Sequence, residues 1–516
     1  MDDHSKIKAI VIDDEPEALT RMEYILEAFD FLLKPVDIDE LRDTIERYKN
    51  KIAPQPDEKL KRFAQAHHLT EREVQIVELL MQNKTSKEIG EELELSRHTV
   101  DTHRRRILVY YYFCTNNCAM IELLENSDRL VQGVSCDFKR YLTKKINWHN
   151  RLIGIKGARG TGKTTIVLQW LKVQGKPVAK AAYFSLDDLY FLTNTLVDTA
   201  KSFFQQGGQI LVLDEVHKYP QWAREIKIVY DRFPELQVIF TGSSIIDISR
   251  QEGDLSRRAI MYELHGLSYR EYLEMNGIMK LPILNLNQIT DGNLSIQNYF
   301  PSGFRPLESF NNYLRYGYYP FSREDIPGYF QRLQQLIRLI VEYDMAEIKG
   351  FDIRNAKKML QLLYVVAQQV PFKPNLHKLS EKCGIHRNSM GNYIWFLEEA
   401  RLIRLLHPAG ISIATLQKPE KIFLNNTSLA YAMASVMPSI GTIREIFAFS
   451  QLTVNHEVRF PKSGDFELDG KIVLEIGGKN KDTKQISGLS EAYLVKDDLE
   501  FPVSKVIPLW LLGFLY

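Results

Sequence analysis

Residues 152–171 decide the fold of the middle of the chain. They read LIGIK at 152–156, GARGTGKT at 157–164 and TIVLQWL at 165–171. The first segment is a short apolar strand and the third an apolar helix, so the loop between them fits the pattern GxxxxGK(S/T) in the context that it requires. The glycines let backbone N–H groups wrap around phosphate oxygens, and the helix amino terminus adds the positive end of its dipole. This stretch therefore predicts a phosphate-binding loop in an α/β fold.

The side chains of this loop predict what it binds. Lys163 is placed to reach the β- and γ-phosphates of ATP, and the Thr164 hydroxyl is placed to be a ligand of Mg²⁺. ATP and Mg²⁺ are therefore the expected cofactors. The residues expected to contact the nucleotide are Gly157, Arg159, Gly160, Thr161, Gly162, Lys163, Thr164 and Thr165.

Two further apolar strands end in polar residues. QILVLDE at 209–215 places Asp214 to bind Mg²⁺ and Glu215 to orient or activate the attacking water. VIFTGSS at 238–244 is a strand whose polar end would lie beside the γ-phosphate. Three strands that deliver polar groups to one edge of a sheet predict a site for ATP hydrolysis. The alternative is a nucleotide-binding switch with little turnover.

This part of the chain resembles an AAA-type ATPase, in particular the prokaryotic group that is similar to archaeal ATPases. The phrase LSYREYL at 267–273 is typical of that group. The resemblance implies a parallel sheet with helices and a sensor at Ser243 or Ser244. It also implies that Arg257 or Arg258 meets the γ-phosphate of a neighbouring subunit or of its own site. Either arginine could instead form a structural salt bridge.

The first 50 residues are rich in acidic side chains. An apolar strand at 8–12 ends in Asp13 and Asp14, and FLLKP at 31–35 precedes a helical segment. These segments resemble the start and the end of a response-regulator receiver domain, in which Asp13 and Asp14 would bind Mg²⁺ and Lys34 would contact the phosphorylated aspartate. A receiver needs about five strand–helix units, or roughly 100 residues, and the segment for the phosphorylated aspartate is absent. We therefore expect a truncated fragment, either remodelled or an artefact of assembly, without phosphotransfer.

Three short helices are predicted after a proline-containing linker. Thr70 with Glu73, and Thr85 with Glu88, have the spacing of capping boxes, and Ser96 is placed to cap the third helix. Apolar residues recur on one face of these helices and basic residues lie on the outer face of the third. A helix, a short turn and a basic helix form the geometry that places a recognition helix in the major groove of DNA.

The stretch 69–107 resembles the LuxR-type helix-turn-helix, which implies DNA as a partner, contacted mainly at phosphates. In that family a fourth, dimerising helix closes the module, whereas here VYYYFC intervenes at 109–114. The alternative is an exposed charged helix with a structural role. The residues expected to face DNA are Lys87, Arg97, Thr99, His103 and Arg104.

Two further units are predicted in the last third of the chain. LHKLSEKCGIHRNSMGNYIWFLEEARLIR at 376–404 is a second helix-turn-helix, followed by strands of a winged helix that either packs on the core or touches DNA. The final segment resembles the PD-(D/E)XK fold of restriction endonucleases. An active nuclease of that type needs a carboxylate and a lysine two residues apart on one strand. Gly477 stands two residues after Glu475 and Lys479 stands four residues after it, so we expect an inactive structural or binding domain.

Composition limits the classes of protein that remain. Lys and Arg number 66 and Asp and Glu 65, so the net charge of +1 gives no global basic excess. Four cysteines are too few for a disulfide framework, and no apolar stretch approaches the roughly 20 residues that span a bilayer. We therefore expect a cytoplasmic protein with no membrane association, which binds DNA and forms a homo-oligomer or binds a protein partner.

The chain is predicted to be a multidomain α/β protein with a P-loop AAA-type parallel sheet, two helix-turn-helix units and an α+β nuclease-like domain. Its predicted function is ATP-dependent regulation. The alternatives are a transcription regulator whose P-loop only senses nucleotide, and an artificial fusion of unrelated pieces. The predicted domains are a receiver-like fragment at 1–50, a LuxR-type helix-turn-helix at 57–112, an AAA-type core and lid at 113–330, a winged helix at 331–410 and a nuclease-like domain at 411–516.

Overall fold

The computed structural model has two compact units, Met1–Cys118 and Ala119–Tyr516, and each is described by itself. The receiver-like head, with Asp13, Asp14 and Lys34, lies outside the described residues. Among the helices of the described part, none is long and apolar enough to cross a bilayer. The described residues are 70–81, 84–242, 255, 257–290, 300, 302–345, 353–368, 376–410, 419–434 and 436–516.

The first unit contains two of the three predicted helices and the first part of the third, which continues past Cys118. The three helices are α1 (Glu71–Met81), α2 (Ser86–Leu93) and α3 (Arg97–Gly133). The helix α3 runs through residues 109–114, the segment that stands where the LuxR-type family has its fourth helix. The small core of the unit consists of Ile76, Leu79, Ile89 and Val100.

Side-chain caps fix where these helices begin. The Glu73 carboxylate accepts hydrogen bonds from the backbone N–H of Thr70 at 3.0 Å and from its hydroxyl at 2.8 Å. At the start of α2, the Glu88 carboxylate accepts from the backbone N–H of Thr85 at 2.7 Å, and the Thr85 hydroxyl accepts in return from Glu88. Both predicted capping boxes are therefore confirmed. Because each cap satisfies backbone donors that a helix start leaves unpaired, the helix boundaries follow from the sequence.

The second unit is centred on a five-stranded parallel sheet in the order β2-β3-β4-β1-β5. Four of its strands are almost completely buried, because helices cover both faces of a parallel sheet. The predicted P-loop AAA-type sheet is therefore confirmed. The strands are β1 (Leu152–Lys156), β2 (Ala181–Ser185), β3 (Ile210–Asp214), β4 (Gln237–Gly242) and β5 (Ile260–Glu263). The helices that precede and connect them are α4 (Leu142–Lys145), α5 (Lys163–Gln174), α6 (Leu196–Gln205) and α7 (Trp222–Arg232).

A helical region follows the sheet and leads to a helix-turn-helix with a two-stranded antiparallel sheet, the arrangement expected of a winged helix. A π-helical turn, Ile340–Asp344, extends the last helix of this region. The helices of the region are α8 (Tyr269–Met275), α9 (Leu286–Thr290), α10 (Pro306–Tyr316) and α11 (Tyr329–Leu339). The winged-helix elements are α12 (Ala356–Gln368), α13 (Leu376–Cys383), α14 (Arg387–Glu399), β6 (Ile403–Leu406) and β7 (Lys421–Leu424).

The last part of the chain pairs two helices with a second five-stranded sheet in the order β12-β11-β10-β9-β8. In this sheet β10 runs parallel to β11 and antiparallel to β9. The helices are α15 (Thr427–Met433) and α16 (Ile440–Leu452). The strands are β8 (Val458–Arg459), β9 (Phe466–Leu468), β10 (Ile472–Gly477), β11 (Ala492–Lys496) and β12 (Val506–Pro508).

One large apolar cluster contains residues from the helical region, the winged helix and the last part of the chain. Its members begin at Tyr269 and end at Leu515, and they come from α8, from the winged-helix elements and from the last sheet. Residues on both sides of the predicted boundaries near 330 and 410 pack into this cluster. The helical region, the winged helix and the final domain therefore share a hydrophobic core.

A buried ion pair joins this shared core to the first sheet. The Arg140 Nε contacts both carboxylate oxygens of Glu271, at 3.1 and 3.2 Å. The guanidinium also donates to the backbone carbonyl oxygens of Thr161, at 2.6 Å, and of Gly266, at 2.9 Å. Glu271 lies in the LSYREYL phrase and also forms a capping box with Ser268 at the start of α8. That phrase therefore holds the phosphate loop against the helical region.

Replacing Glu271 by Gln should lower the free energy of unfolding of the second unit by about 3 kcal/mol, because the Arg140 guanidinium would stay buried without a charged partner. Chemical denaturation followed by tryptophan fluorescence measures the change. The matched control is Lys280→Gln, which removes an ion pair with Glu274 whose lysine side chain is 78% exposed. That variant should change stability by less than about 1 kcal/mol. An equal effect of the two variants would contradict the prediction.

Candidate functional site

The phosphate loop connects β1 to α5, and its backbone conformation requires glycine at two positions. Gly160 and Gly162 have φ values of 81° and 92°, in the left-handed region. At Gly157 the constraint is space, because a Cβ atom there would lie 2.3 Å from the backbone oxygen of Leu264. The Thr161 hydroxyl donates to the Ala158 backbone oxygen at 2.8 Å and closes the loop. The glycines of the motif are therefore needed for the shape of the loop.

The motif lysine is buried at the start of α5. Its Nζ donates to the backbone oxygens of Gly157, at 2.8 Å, and Ala158, at 2.9 Å. Burial lowers the pKa of Lys163 to about 8, against the opposing effects of Asp214 and Glu215. The ammonium group is therefore largely protonated at neutral pH and lies inside the loop that would wrap around phosphates.

Asp214 ends β3 and accepts three hydroxyl groups. Its Oδ2 accepts from Thr164 at 2.6 Å and from Tyr183 at 2.7 Å, and its Oδ1 accepts from Thr241. These contacts bring together the two residues that were predicted to bind Mg²⁺, Thr164 and Asp214. Both present hard oxygen donors, and Mg²⁺ in phosphate sites is usually held by one or two protein ligands with phosphates and water. The donor set therefore fits the predicted cation.

Glu215 follows directly and has a left-handed backbone, with φ of 52°. Such a conformation is unfavourable for a residue with a side chain and is often found at functional sites. Its backbone N–H donates to the Thr241 hydroxyl at 3.4 Å. Burial raises the pKa of Glu215, and the neighbouring Asp214 raises it further. Glu215 is therefore a stronger base than an exposed glutamate.

Sequence reasoning missed two members of this network, Tyr183 and Thr241. Tyr183 lies on β2, and burial followed by the charge of Asp214 raises its pKa, so its hydroxyl stays a donor. Thr241 lies near the carboxyl end of β4, beside β3 in the sheet. A polar residue inside the apolar run VIFTG was the available signal for Thr241, whereas Tyr183 reads as an ordinary strand aromatic.

A cleft of about 790 Å³ opens beside the carboxyl side of the loop. It includes the predicted contact Thr165 and a segment before β1 that sequence reasoning left unassigned. Part-apolar clefts with a few polar groups are typical of sites for small-molecule ligands. The lining includes Val134, Phe138, Thr165, Gln169, Met275 and Pro320.

The structure separates the predicted arginines from the loop. Because β5 pairs in parallel with β1, Ile260 beside Ile153, residues just before β5 lie at the amino edge of the sheet. The loop lies at the opposite edge, so Arg257 and Arg258 cannot meet the γ-phosphate of their own chain. Arg258 forms an ion pair with Asp231, at 2.9 Å, as the salt-bridge alternative requires. The predicted sensor, Ser243 or Ser244, lies outside the described residues.

Three of the predicted DNA-facing residues, Lys87, Arg97 and Thr99, lie on α2 and α3. Lys87 and Arg97 are exposed on α2 and α3, and Lys87 lies 4.0 Å from Glu91. The Thr99 hydroxyl is hydrogen-bonded to Ser96 at 2.7 Å.

His103 is partly buried: its side chain is 27% exposed and its Nδ1 lies 3.5 Å from the buried carboxylate of Glu73. Its contact with DNA stays a prediction. The side chain of Arg104 lies outside the described residues.

Three carboxylates and two lysines form ion pairs at or near the last sheet: Glu475 on β10, Asp465 just before β9, Glu445 on α16, Lys421 on β7 and Lys481 after β10. Lys421 lies 2.9 Å from Glu445 and 3.5 Å from Asp465. Glu475 forms an ion pair with Lys481, whose side chain passes over Gly477.

Lys481, and not Lys479, is thus the lysine at Glu475. In the part of the chain that the structure describes, no group of three or more His, Cys, Asp or Glu side chains could hold a metal. The lysines instead neutralise the carboxylates internally.

Family models match three stretches of the chain. An AAA domain matches residues 149–273, a bacterial regulatory protein model of the luxR family matches 67–109, and a domain of unknown function matches 307–439. The chain therefore carries an AAA-type P-loop domain together with a LuxR-type helix-turn-helix. The first stretch contains the loop, Asp214 and Glu215, and the second contains the predicted DNA-facing residues.

Two curated proteins are similar to parts of the chain. A protein of Methanocaldococcus jannaschii is 28% identical over 375 residues, which is 66% of this chain and 78% of that protein. The uncharacterized response regulatory protein YgeK of Escherichia coli is 47% identical over 47 residues, which is 9% of this chain and 32% of that protein.

Solved structures of low identity are also similar. A Walker-type ATPase of Pyrococcus abyssi matches with a TM-score of 0.35 and 11% identity, over 57% of this chain and 95% of that chain. DnaA from Aquifex aeolicus with bound AMPPCP matches with a TM-score of 0.19 and 15% identity, over 50% and 84% of the two chains.

Replacing Thr241 by Val should lower the free energy of unfolding by about 1–3 kcal/mol, because the buried Asp214 carboxylate loses a donor without a change of side-chain shape. Thr241→Ser keeps the hydroxyl and is the matched control. Thermal and chemical unfolding compare the two variants with the parent protein. A larger loss in the serine variant than in the valine variant would show that the methyl group, and not the hydrogen bond, matters at this position.

Proposed function

We propose that the chain is an ATP-dependent regulator, which hydrolyses ATP at the carboxyl edge of its first sheet and binds DNA through the LuxR-type module. The observation that carries the proposal is the hydrogen-bonded network of Thr164, Asp214, Glu215 and Thr241 beside the buried ammonium of Lys163. Asp214 and Glu215 lie at the carboxyl end of β3, Thr241 lies near the carboxyl end of β4, and Lys163 and Thr164 begin α5 after the phosphate loop. That arrangement is the one in which α/β proteins bind and transform nucleotides.

Lys163 would neutralise charge on the β- and γ-phosphates, and the loop N–H groups would orient them. Mg²⁺, when bound with Thr164 and Asp214 as protein ligands, would supply positive charge to the phosphate oxygens. Glu215 would accept a proton from a water molecule as the water oxygen forms its bond to the γ-phosphorus. The bond between that phosphorus and the bridging oxygen to the β-phosphate breaks, and ADP and phosphate are released. The raised pKa of Glu215 suits it to take this proton.

Glu215→Gln should lower kcat for ATP at least about 100-fold, because general-base catalysis contributes that much. Its affinity for ATP should remain close to that of the parent protein, since a glutamine keeps the size of the side chain. Lys163→Ala should instead weaken ATP binding itself. Phosphate release and equilibrium binding of a fluorescent ATP analogue separate the two effects.

Lys176→Ala is a matched control for these variants, because Lys176 is an exposed lysine just after α5 whose Nζ donates a hydrogen bond to Oε1 of Gln209 at 2.7 Å, away from the phosphate loop. It should turn over ATP at the parental rate. Retained phosphate release in both Lys163→Ala and Glu215→Gln would show that the proposed ATPase function is wrong.

The DNA-binding half of the proposal is supported by the capped helices α2 and α3 and by the exposed Lys87 and Arg97. These side chains have the charge and the placement for phosphate contacts, which dominate affinity in protein–DNA complexes. Turnover of ATP measured with and without duplex DNA distinguishes a regulator driven by hydrolysis from one that only senses nucleotide.

Arg97→Ala should weaken binding to duplex DNA and reduce the slope of log affinity against log salt by about 1, as expected for one lost phosphate contact. Gel-shift titrations at three salt concentrations measure the slope. Lys84→Gln is the matched control, because this lysine of the same module pairs with Glu92. If the salt slope of Arg97→Ala equals that of the parent protein, Arg97 does not contact phosphate.

A further inference from the structure

An arginine within the phosphate loop is held by a carboxylate from the helical region. The Nη1 of Arg159 donates to Oδ1 of Asp344 at 2.8 Å and to Oδ2 at 3.1 Å. The Asp344 side chain is only 5% exposed, and Lys218 Nζ lies 3.9 Å from its Oδ1. A buried carboxylate with two cations within 4 Å is a fixed anchor, unlike the flexible ion pairs of a protein surface.

This contact leaves one side of the guanidinium group open. Within the described residues, the hydrogen bonds of Arg159 involve Nη1 alone, so Nε and Nη2 keep three N–H donors. The edge formed by Nε and Nη2 matches the spacing of two phosphate oxygens, and arginine binds phosphate in this paired way. The Arg159 side chain is 26% exposed, so a ligand can reach that edge.

Arg159 also lies close to the groups that would act on the γ-phosphate. Burial has the largest effect on the pKa of both Lys163 and Glu215, and the positive charge of Arg159 lowers the pKa of each. The next loop residue, Gly160, faces the helical region, since a Cβ atom there would lie 3.6 Å from Leu336 of α11. Arg159 therefore lies in the phosphate loop, next to a residue that faces α11, and its positive charge acts on both Lys163 and Glu215.

We propose that Arg159 contacts the terminal phosphate of ATP bound to its own chain, and that Asp344 is the positioning residue that holds the guanidinium there. The proposal rests on the proposed ATPase function and adds to it the means of telling ATP from ADP. Arg159 would supply, from the same chain, the positive charge at the γ-phosphate that Arg257 and Arg258 cannot supply from the opposite edge of the sheet. Asp344 closes a π-helical turn, a conformation that is frequent at functional sites.

Binding of ADP and of a non-hydrolysable ATP analogue to the full-length protein tests the proposal, together with kcat for ATP. Arg159→Gln and Asp344→Asn should each bind the analogue at least about tenfold more weakly, because one charge-assisted hydrogen bond accounts for that much. Their affinity for ADP should stay within about twofold of the parent value, since the β-phosphate keeps its loop contacts. Their kcat should fall at least about tenfold.

The matched control is Arg332→Gln, which removes an ion pair between α11 and Glu324 in which both partners are exposed. It should bind both nucleotides as the parent protein does. The exchanged pair, Arg159→Asp with Asp344→Arg, restores opposite charges and should recover thermal stability. It should not recover the preference for the ATP analogue, because the guanidinium would then belong to residue 344 and not to a residue of the phosphate loop.

Two results would overturn the proposal. The first is a parental ratio of ATP-analogue to ADP affinity in Arg159→Gln and Asp344→Asn, with only the melting temperature lowered. The second is recovery of that ratio in the exchanged pair, since either result makes the contact purely structural. If Asp344→Asn does not fold, the more exposed Arg159→Gln decides. Failure of the proposed ATPase function itself is distinguishable, because Lys163→Ala would then bind both nucleotides normally.

Discussion

The rest of the second unit depends on the contacts made by the buried guanidinium of Arg140. It joins the Thr161 carbonyl of the phosphate loop to the carbonyls of His265 and Gly266 and to the Glu271 carboxylate. Glu271 in turn accepts the backbone N–H of Tyr141 at 2.6 Å. A buried charge is stable only when its partners satisfy it. The loop, the segment before β1 and α8 therefore have to keep their relative positions.

Parallel strands make the chemistry of the site possible. In the order β2-β3-β4-β1-β5 every strand of the first sheet points its carboxyl end to one edge, so Tyr183, Asp214 and Thr241 meet although they are far apart in sequence. The same rule places Arg257 and Arg258 at the other edge. Strand direction, and not distance along the chain, thus decides which polar residues can take part in one site.

The sequence predicts the parts of the site that are local. Strand, glycine loop and helix are adjacent, and Asp214 and Glu215 end an obvious apolar run, so these residues could be assigned in advance. Arg140, Tyr183 and Asp344 could not, because each acts through a partner from a distant segment. The contact of His103 with Glu73 on α1 could not be predicted either, because a helical pattern gives spacing but does not say which residue of a neighbouring helix lies beside a position. The contact of Lys481 with Glu475 was not predicted, because the expected spacing of two residues between carboxylate and lysine holds only when both lie on one strand. Lys481 lies beyond the end of β10.

Charges around the phosphate loop depend on one another. Burial lowers the pKa of Lys163, and Asp214 and Glu215 oppose that effect. The same Asp214 makes Glu215 a better base, while Arg159 and Lys163 restrain that shift. Asp344 contributes a further negative charge that favours protonation of Lys163. Because the same neighbours act on the pKa of both Lys163 and Glu215, the effects of single substitutions in this site will not add. The site is therefore one electrostatic unit, and a carboxylate from beyond the first sheet belongs to it.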